Sequence, residues 1–140
     1  MPNQPRNSLA TDVGKLILRS SLAILILFHG ISKVLHGIDQ IIGIIVKTGL
    51  PSAVAYLVYT GEVVAPLLVL VGIWTRPAAL VIAINMTVAV LLVHTSQFFT
   101  LAKTGGWALE LQGMYFICAL AVALLGAGRF SIGGTGGKLN

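Results

Sequence analysis

From Ser52 to Ile73 the chain runs for 22 residues with one side chain that is charged at neutral pH, Glu62, near the middle. A helix of that length crosses the roughly 30 Å hydrocarbon core of a bilayer. An acid at such a depth is costly, and by default it marks a functional site with a partner to be found. Pro66 follows four residues later and has no N–H to give the carbonyl of residue 62. The acid and an interrupted backbone therefore share one turn.

Composition places the whole chain in the membrane class. Of 140 residues, 56% are apolar and 9% charged, with a mean hydropathy of +0.95. This is one domain's length. The net charge of +5 comes from scattered cations, and no run of Lys or Arg is long enough for a nucleic-acid patch. Cys118 stands alone in an apolar run. It reads as a small core residue and excludes an intramolecular disulfide. A redox role would need a cofactor, a quinone or a partner protein.

The remaining apolar runs predict an all-α fold: a four-transmembrane-helix bundle with spans at about 16–35, 52–73, 77–96 and 107–126. The first run is too long for a signal-peptide core, contains Arg19, and lacks a small-residue cleavage site. Between spans one and two, Ile38, Ile41, Ile42 and Ile45 keep helical spacing over a stretch too short to cross. That pattern fits a short interfacial or re-entrant helix. Thr48 to Pro51 turns the chain back. Thr75 is expected to cap the third span, with Pro77 in its first turn. Trp107 is expected as an interfacial anchor ahead of the fourth. Residues 15–130 form the membrane domain, 1–14 an N-terminal tail, and 131–140 a glycine-rich tail flexible by composition.

Four spans leave both termini on one side. That side carries Arg6, Lys15, Arg76, Arg129 and Lys138, with Arg19 just inside the membrane; Lys33, Lys47 and Lys103 fall on the other. The positive-inside rule makes the first side cytoplasmic.

Each span then places a polar group in the outer half of the bundle. At about 1.5 Å per residue, Glu62 is near the midplane, His29 about 5 Å outward, and Lys33, His94 and Glu110 about 10–12 Å outward. His29 and Lys33 share a helix face. Arg19 projects close to Lys33 but nearer the cytoplasm. These six residues, Arg19, His29, Lys33, Glu62, His94 and Glu110, are the candidate intramembrane site. Two readings stand. In one, the balanced charges form a salt-bridged network that fixes helix packing. In the other, they line an outward-facing cavity for a small polar molecule, a proton or a quinone head group. The His and Glu residues have metal-ligand chemistry, but none are adjacent in sequence and Lys33 would repel a cation, so no metal site is argued. Haem between His29 and His94 is disfavoured by their unequal depths. Asn85 is expected to bond a neighbouring helix. Gln112, Tyr56 and Tyr59 carry no signal beyond packing and interface roles.

Taken together, the chain resembles the DoxX family of small four-helix membrane proteins. The resemblance is carried by Arg19, His29-Gly30, Lys33, Gly37, Gly49-Leu50-Pro51, Glu62 and Leu70 to Ile73 with Thr75-Arg76. His94, Glu110 and the stretch Gly126 to Ser131 complete it. It covers about residues 14–132. The family's usual Gly-Pro-Gly before the last Arg is Gly-Ala-Gly here, the acid often found just after the Ser is replaced by Gly133, and Val63, Val64 and Ala65 stand where glycines are common. The resemblance implies a prokaryotic cytoplasmic-membrane protein. Some relatives are subunits of membrane oxidoreductase systems, including thiosulfate:quinone oxidoreductase and an oxidative-stress complex.

Two functions follow as expectations. One is a membrane subunit or anchor of an oxidoreductase system, with a soluble redox partner and a quinone. The other is a non-enzymatic carrier or scaffold, for which a homo-oligomer is expected. A carrier usually shows paired broken helices and internal repeats, whereas only Pro66 breaks a span here.

Overall fold

The computed structural model describes residues 9–140. The expected tail residues 1–8, with Arg6, lie outside the described residues. Four long helices and one short helix make the fold: α1 (Leu9–His36), α2 (Asp39–Lys47), α3 (Ser52–Val71), α4 (Thr75–Val93) and α5 (Glu110–Leu125). The first, third and fourth of these are long and apolar enough to cross a membrane, and α5 is a shorter apolar helix. The protein is a helical membrane bundle.

α1 starts at Leu9, seven residues before the expected span, and reaches about 42 Å in length. Its extra turns are held by tertiary contacts that hydropathy does not register. Asp12 is buried and its Oδ1 accepts the Arg129 N–H at 3.4 Å. That contact also brings the chain back to the end where α1 begins, called the near end below. The far end holds α2 and the loop from residue 94 to 109.

The core is built from small side chains. Alanines 23, 65, 78, 79, 83, 119 and 123 make up half of the main buried cluster, together with Leu22, Ile26, Val69, Ile82 and Val122. Small residues let helix backbones approach where no hydrophobic drive separates helix from lipid. The large apolar side chains point outward instead: Phe28, Leu35, Ile84, Leu91 and Leu124 are all exposed. A second cluster forms at the far end, where Ile38 and Ile45 beside and within α2 are buried with Ala55 at the start of α3. The isoleucine pattern between the first two spans therefore does form a short helix, and it closes one end of the bundle.

α3 changes its winding along its length. It opens as a 3₁₀ turn over Ser52–Tyr56, is α-helical at Leu57–Tyr59, widens to a π turn at Thr60–Val64, and returns to α over Ala65–Val71. In the π turn the Ala65 N–H donates to the Thr60 carbonyl, five residues back. Pro66 explains the position, since it supplies no N–H to the α ladder, and such bulges gather at functional sites.

The near end departs from expectation in two places. Thr75 lies in the first turn of α4 and is buried; no side chain within the turn caps it. Instead Asn140 Oδ1 accepts the Thr75 N–H at 3.3 Å, and the Arg76 N–H donates to the Leu139 carbonyl at 3.1 Å. Residues 131–140, glycine-rich and expected to be a flexible tail, are thus folded back onto the helix start. The Ile132 and Gly133 N–H groups extend this by donating to the Val71 and Gly72 carbonyls at 3.0 Å each. The open N–H groups at the start of α4 and the open carbonyls at the end of α3 create the demand these contacts meet.

At the other end of the last two spans, α4 stops at Val93 and α5 begins only at Glu110. Residues expected to extend α5 are used in the loop: the Ala108 N–H donates to Thr100, and Trp107 Nε1–H to the Phe98 carbonyl at 2.8 Å. Trp107 packs edge-on to Phe98 in this exposed aromatic knot.

Candidate functional site

Toward the far end the helices separate around a cavity of about 760 Å³. Its walls come from every helix, and most are apolar: Ile26, Ile44, Val58 and Leu92 among them. Set into these walls are His29, Lys33, Glu62 and His94, together with Asn85 and Tyr115. Four of the six expected site residues therefore meet in one chamber.

Glu62 is held there by the backbone around it. The π turn and Pro66 lie on the same two turns, and the Glu62 carbonyl presses on α1 at Gly30. A methyl group built on Gly30 would sit 2.2 Å from that oxygen, so only glycine allows this approach. Gly61 plays the same part toward α4, where the Asn85 side chain occupies the space a Cβ would need. Two glycines thus draw α1 and α4 onto the turn that carries the acid.

The partner of Glu62 is Lys33. Its Nζ lies 2.5 Å from Glu62 Oε2, with the carboxylate side chain 8% exposed and the ammonium side chain 26%. The Tyr59 hydroxyl donates to the Lys33 carbonyl at 3.2 Å, fixing α1 against α3 one turn away. His29, one turn along α1 from Lys33, meets the Tyr115 ring edge-on at 6.0 Å.

On the α4 side the polar atoms have no such partners. Asn85 Nδ2 and His94 Nδ1 are buried, line the cavity through their side chains, and make no hydrogen bond with the protein. The bond expected from Asn85 to a neighbouring helix is not made by its amide nitrogen, because the helix it faces offers Gly61. Leaving a buried polar group unmatched costs about 1–3 kcal/mol, so the chamber is chemically incomplete on that wall.

The two remaining residues of the expected set lie elsewhere. Glu110 is exposed at the start of α5 and does not line the cavity. Arg19 is buried at the near end, where its guanidinium donates to the carbonyls of Val69 at 2.8 Å, Leu70 and Phe130. Helical projection puts Arg19 within about 40° of Lys33, but about 21 Å of helix separates them. A cation on the last carbonyls of α3 offsets the negative end of that helix, so Arg19 is a clamp between α1, α3 and the segment after α5. Sequence reasoning missed Asn85, Gln112 and Tyr115 as cavity residues. Gln112 and Tyr115 are three apart on α5, a spacing that could have exposed them as one face. Among the described residues, no group of three or more His, Cys, Asp or Glu is placed to hold a metal ion.

The sequence pattern of the DoxX family matches residues 14–95, which carry most of α1, all of α2 to α4, and the Lys33–Glu62 pair. CatD of Bacillus subtilis (strain 168), provisionally named an oxidoreductase, is 32% identical over 88 residues. The match covers 63% of this chain and 65% of CatD, so the chain spans less than two thirds of that relative. No solved structure matches the chain.

Proposed function

Because this chain belongs to the DoxX family, we propose that it is the membrane component of an oxidoreductase system and binds a quinone in the far-end cavity. One observation carries the reading. The chamber joins apolar walls to a charged pair on one side and to unmatched polar atoms, Asn85 Nδ2 and His94 Nδ1, on the other. Pockets of 300–1,000 Å³ with apolar linings and a few placed polar groups are the usual form of a small-molecule site. An amphiphile with oxygen atoms on a flat head and an apolar body answers both kinds of wall. In this reading Asn85 donates to one ligand oxygen, His94 bonds the same edge, and Glu62 with Lys33 faces the other. Electrons come from a soluble redox partner, and the chain resides in the prokaryotic cytoplasmic membrane with both termini inside, as the distribution of Lys and Arg supports.

The alternative is a scaffold whose polar cluster only fixes packing. The mutual satisfaction of Lys33 and Glu62 favours it, but it leaves the α4 wall without an explanation. Equilibrium binding of a short-chain quinone to the purified protein in nanodiscs decides between them. Saturable binding that weakens in Asn85→Leu, with the fold intact, supports the proposal. No saturable binding, or binding indifferent to Asn85 and Glu62, overturns it. Mass spectrometry of what copurifies with the tagged chain tests the partner: a soluble redox enzyme in near-fixed ratio is the expected result.

A further inference from the structure

Lys33, Gln40 and Ile41 each line two cavities. One is the chamber described above. The other, about 440 Å³, occupies the corner where α1 ends and α2 begins, and is completed by His36, Gly37, Ile38 and Asp39. His36, Asp39 and Gln40 are exposed, and side chains of this kind belong in water or among head groups, not among acyl chains. The two spaces meet at Lys33. Lys33 lines both spaces, and its ammonium reaches the buried carboxylate at 2.5 Å.

From this we infer that the α1–α2 corner is the aqueous mouth of the intramembrane cavity, and that Glu62 exchanges protons with water through it, with Lys33 as the gate. A carboxylate in a chamber lined by Ile26, Val58 and Leu92 cannot change its protonation without a polar route to bulk water. Polar groups follow one another along such a route: Asp39 at the mouth, Lys33 at the neck, Glu62 within. His36 stands beside the mouth with Nδ1 engaged by the Ser32 carbonyl at 2.9 Å. His29 and His94 face the chamber beyond the neck. The ammonium at the neck repels metal cations, so water and small solutes that are not cationic enter, and protons move with the water. The inference does not depend on what fills the chamber.

Thiol labelling tests it directly, because the chain has a single cysteine to remove. In a Cys118→Ala background, single cysteines replace Gln40 at the neck, Val58 inside the chamber and Leu124 on the exposed outer surface. Each is reconstituted into liposomes and exposed to a small, anionic, membrane-impermeant methanethiosulfonate from one side at a time. Thiols react as thiolates, which form readily only in contact with water, so Val58→Cys is expected to react at least about tenfold faster than Leu124→Cys. It should do so from the far-end side alone, and adding Lys33→Ala should raise its rate further. Equal rates for Val58→Cys and Leu124→Cys would overturn the mouth. An unchanged rate on adding Lys33→Ala would overturn the gate. Protection of Val58→Cys by a quinone is a separate measurement, and its absence would count against the quinone alone.

Discussion

The carbonyl oxygen of Glu62 lies against the Cα of Gly30, too close for any side chain to stand between them. The turn that holds the membrane acid is therefore packed backbone to backbone on the helix that supplies its counter-charge. Gly30→Ala would drive a methyl group into that carbonyl and push α1 from α3. We expect a loss of about 1–3 kcal/mol, the usual range for overpacking a tight contact. Gly14, on the same helix, has open space within 4 Å of where a methyl group would stand, and Gly14→Ala should be neutral or stabilising by up to about 1 kcal/mol. Thermal unfolding of both variants in mild detergent checks the contrast.

The Lys33–Glu62 pair should behave as a unit. Lys33→Met leaves a buried carboxylate without its cation, and we expect it to destabilise the fold by about 3 kcal/mol. Glu62→Gln alone should also be destabilising. The double variant should recover most of the loss, since two neutral groups then face each other. A double-mutant cycle in the same detergent measures the coupling, and strictly additive losses would show that the 2.5 Å contact contributes nothing.

Asn85→Leu and His94→Phe separate binding from packing. Each removes a buried polar atom that has no protein partner, so stability should hold or rise slightly. Quinone affinity should fall by about tenfold for each, the equivalent of about 1.4 kcal/mol. Loss of stability with unchanged affinity would assign both residues to packing.

Arg19 should show the opposite pattern. Its guanidinium spans carbonyls on Val69, Leu70 and Phe130, a forked geometry that an ammonium does not reproduce. Arg19→Lys is expected to cost about 1–3 kcal/mol of stability, through carbonyls left unmatched. Affinity for a ligand in the far-end cavity should be unchanged in the fraction that remains folded. A selective loss of affinity would return Arg19 to the site.

The same residues explain how far the amino-acid sequence alone can be read. Apolar runs identify all four long helices, and the isoleucine spacing identifies α2, because burial in lipid or against a neighbour depends on local periodicity. Pro66 marks the turn that widens around Glu62 for a similarly local reason. Charge balance puts Lys33 and Glu62 in one candidate set, but their expected depths, about 10–12 Å apart by helical rise, do not pair them. Depth sets Arg19 apart from them, about 21 Å along α1 from Lys33, but its acceptors lie 50, 51 and 111 residues further along the chain, beyond any local pattern. The long start of α1 and the folding back of residues 131–140 depend on contacts such as Asp12 with Arg129 and Asn140 with Thr75. Those contacts close across long stretches of chain that no local pattern spans. The partner expected for Asn85 is withheld by a glycine on the facing helix, which no single-helix pattern reveals.

The clamp formed by Arg19 also bears on how the protein is made. Two of its acceptors are 50 and 51 residues further along the chain, and the third is 111. A ribosome delivers α1 to the membrane long before Phe130 has been synthesised. During that interval the guanidinium is without its last acceptor, and α1 has reason to stay near the surface or the insertion machinery. Seating of the first helix is therefore tied to arrival of the segment after the last one, so bundle closure is an event of late synthesis.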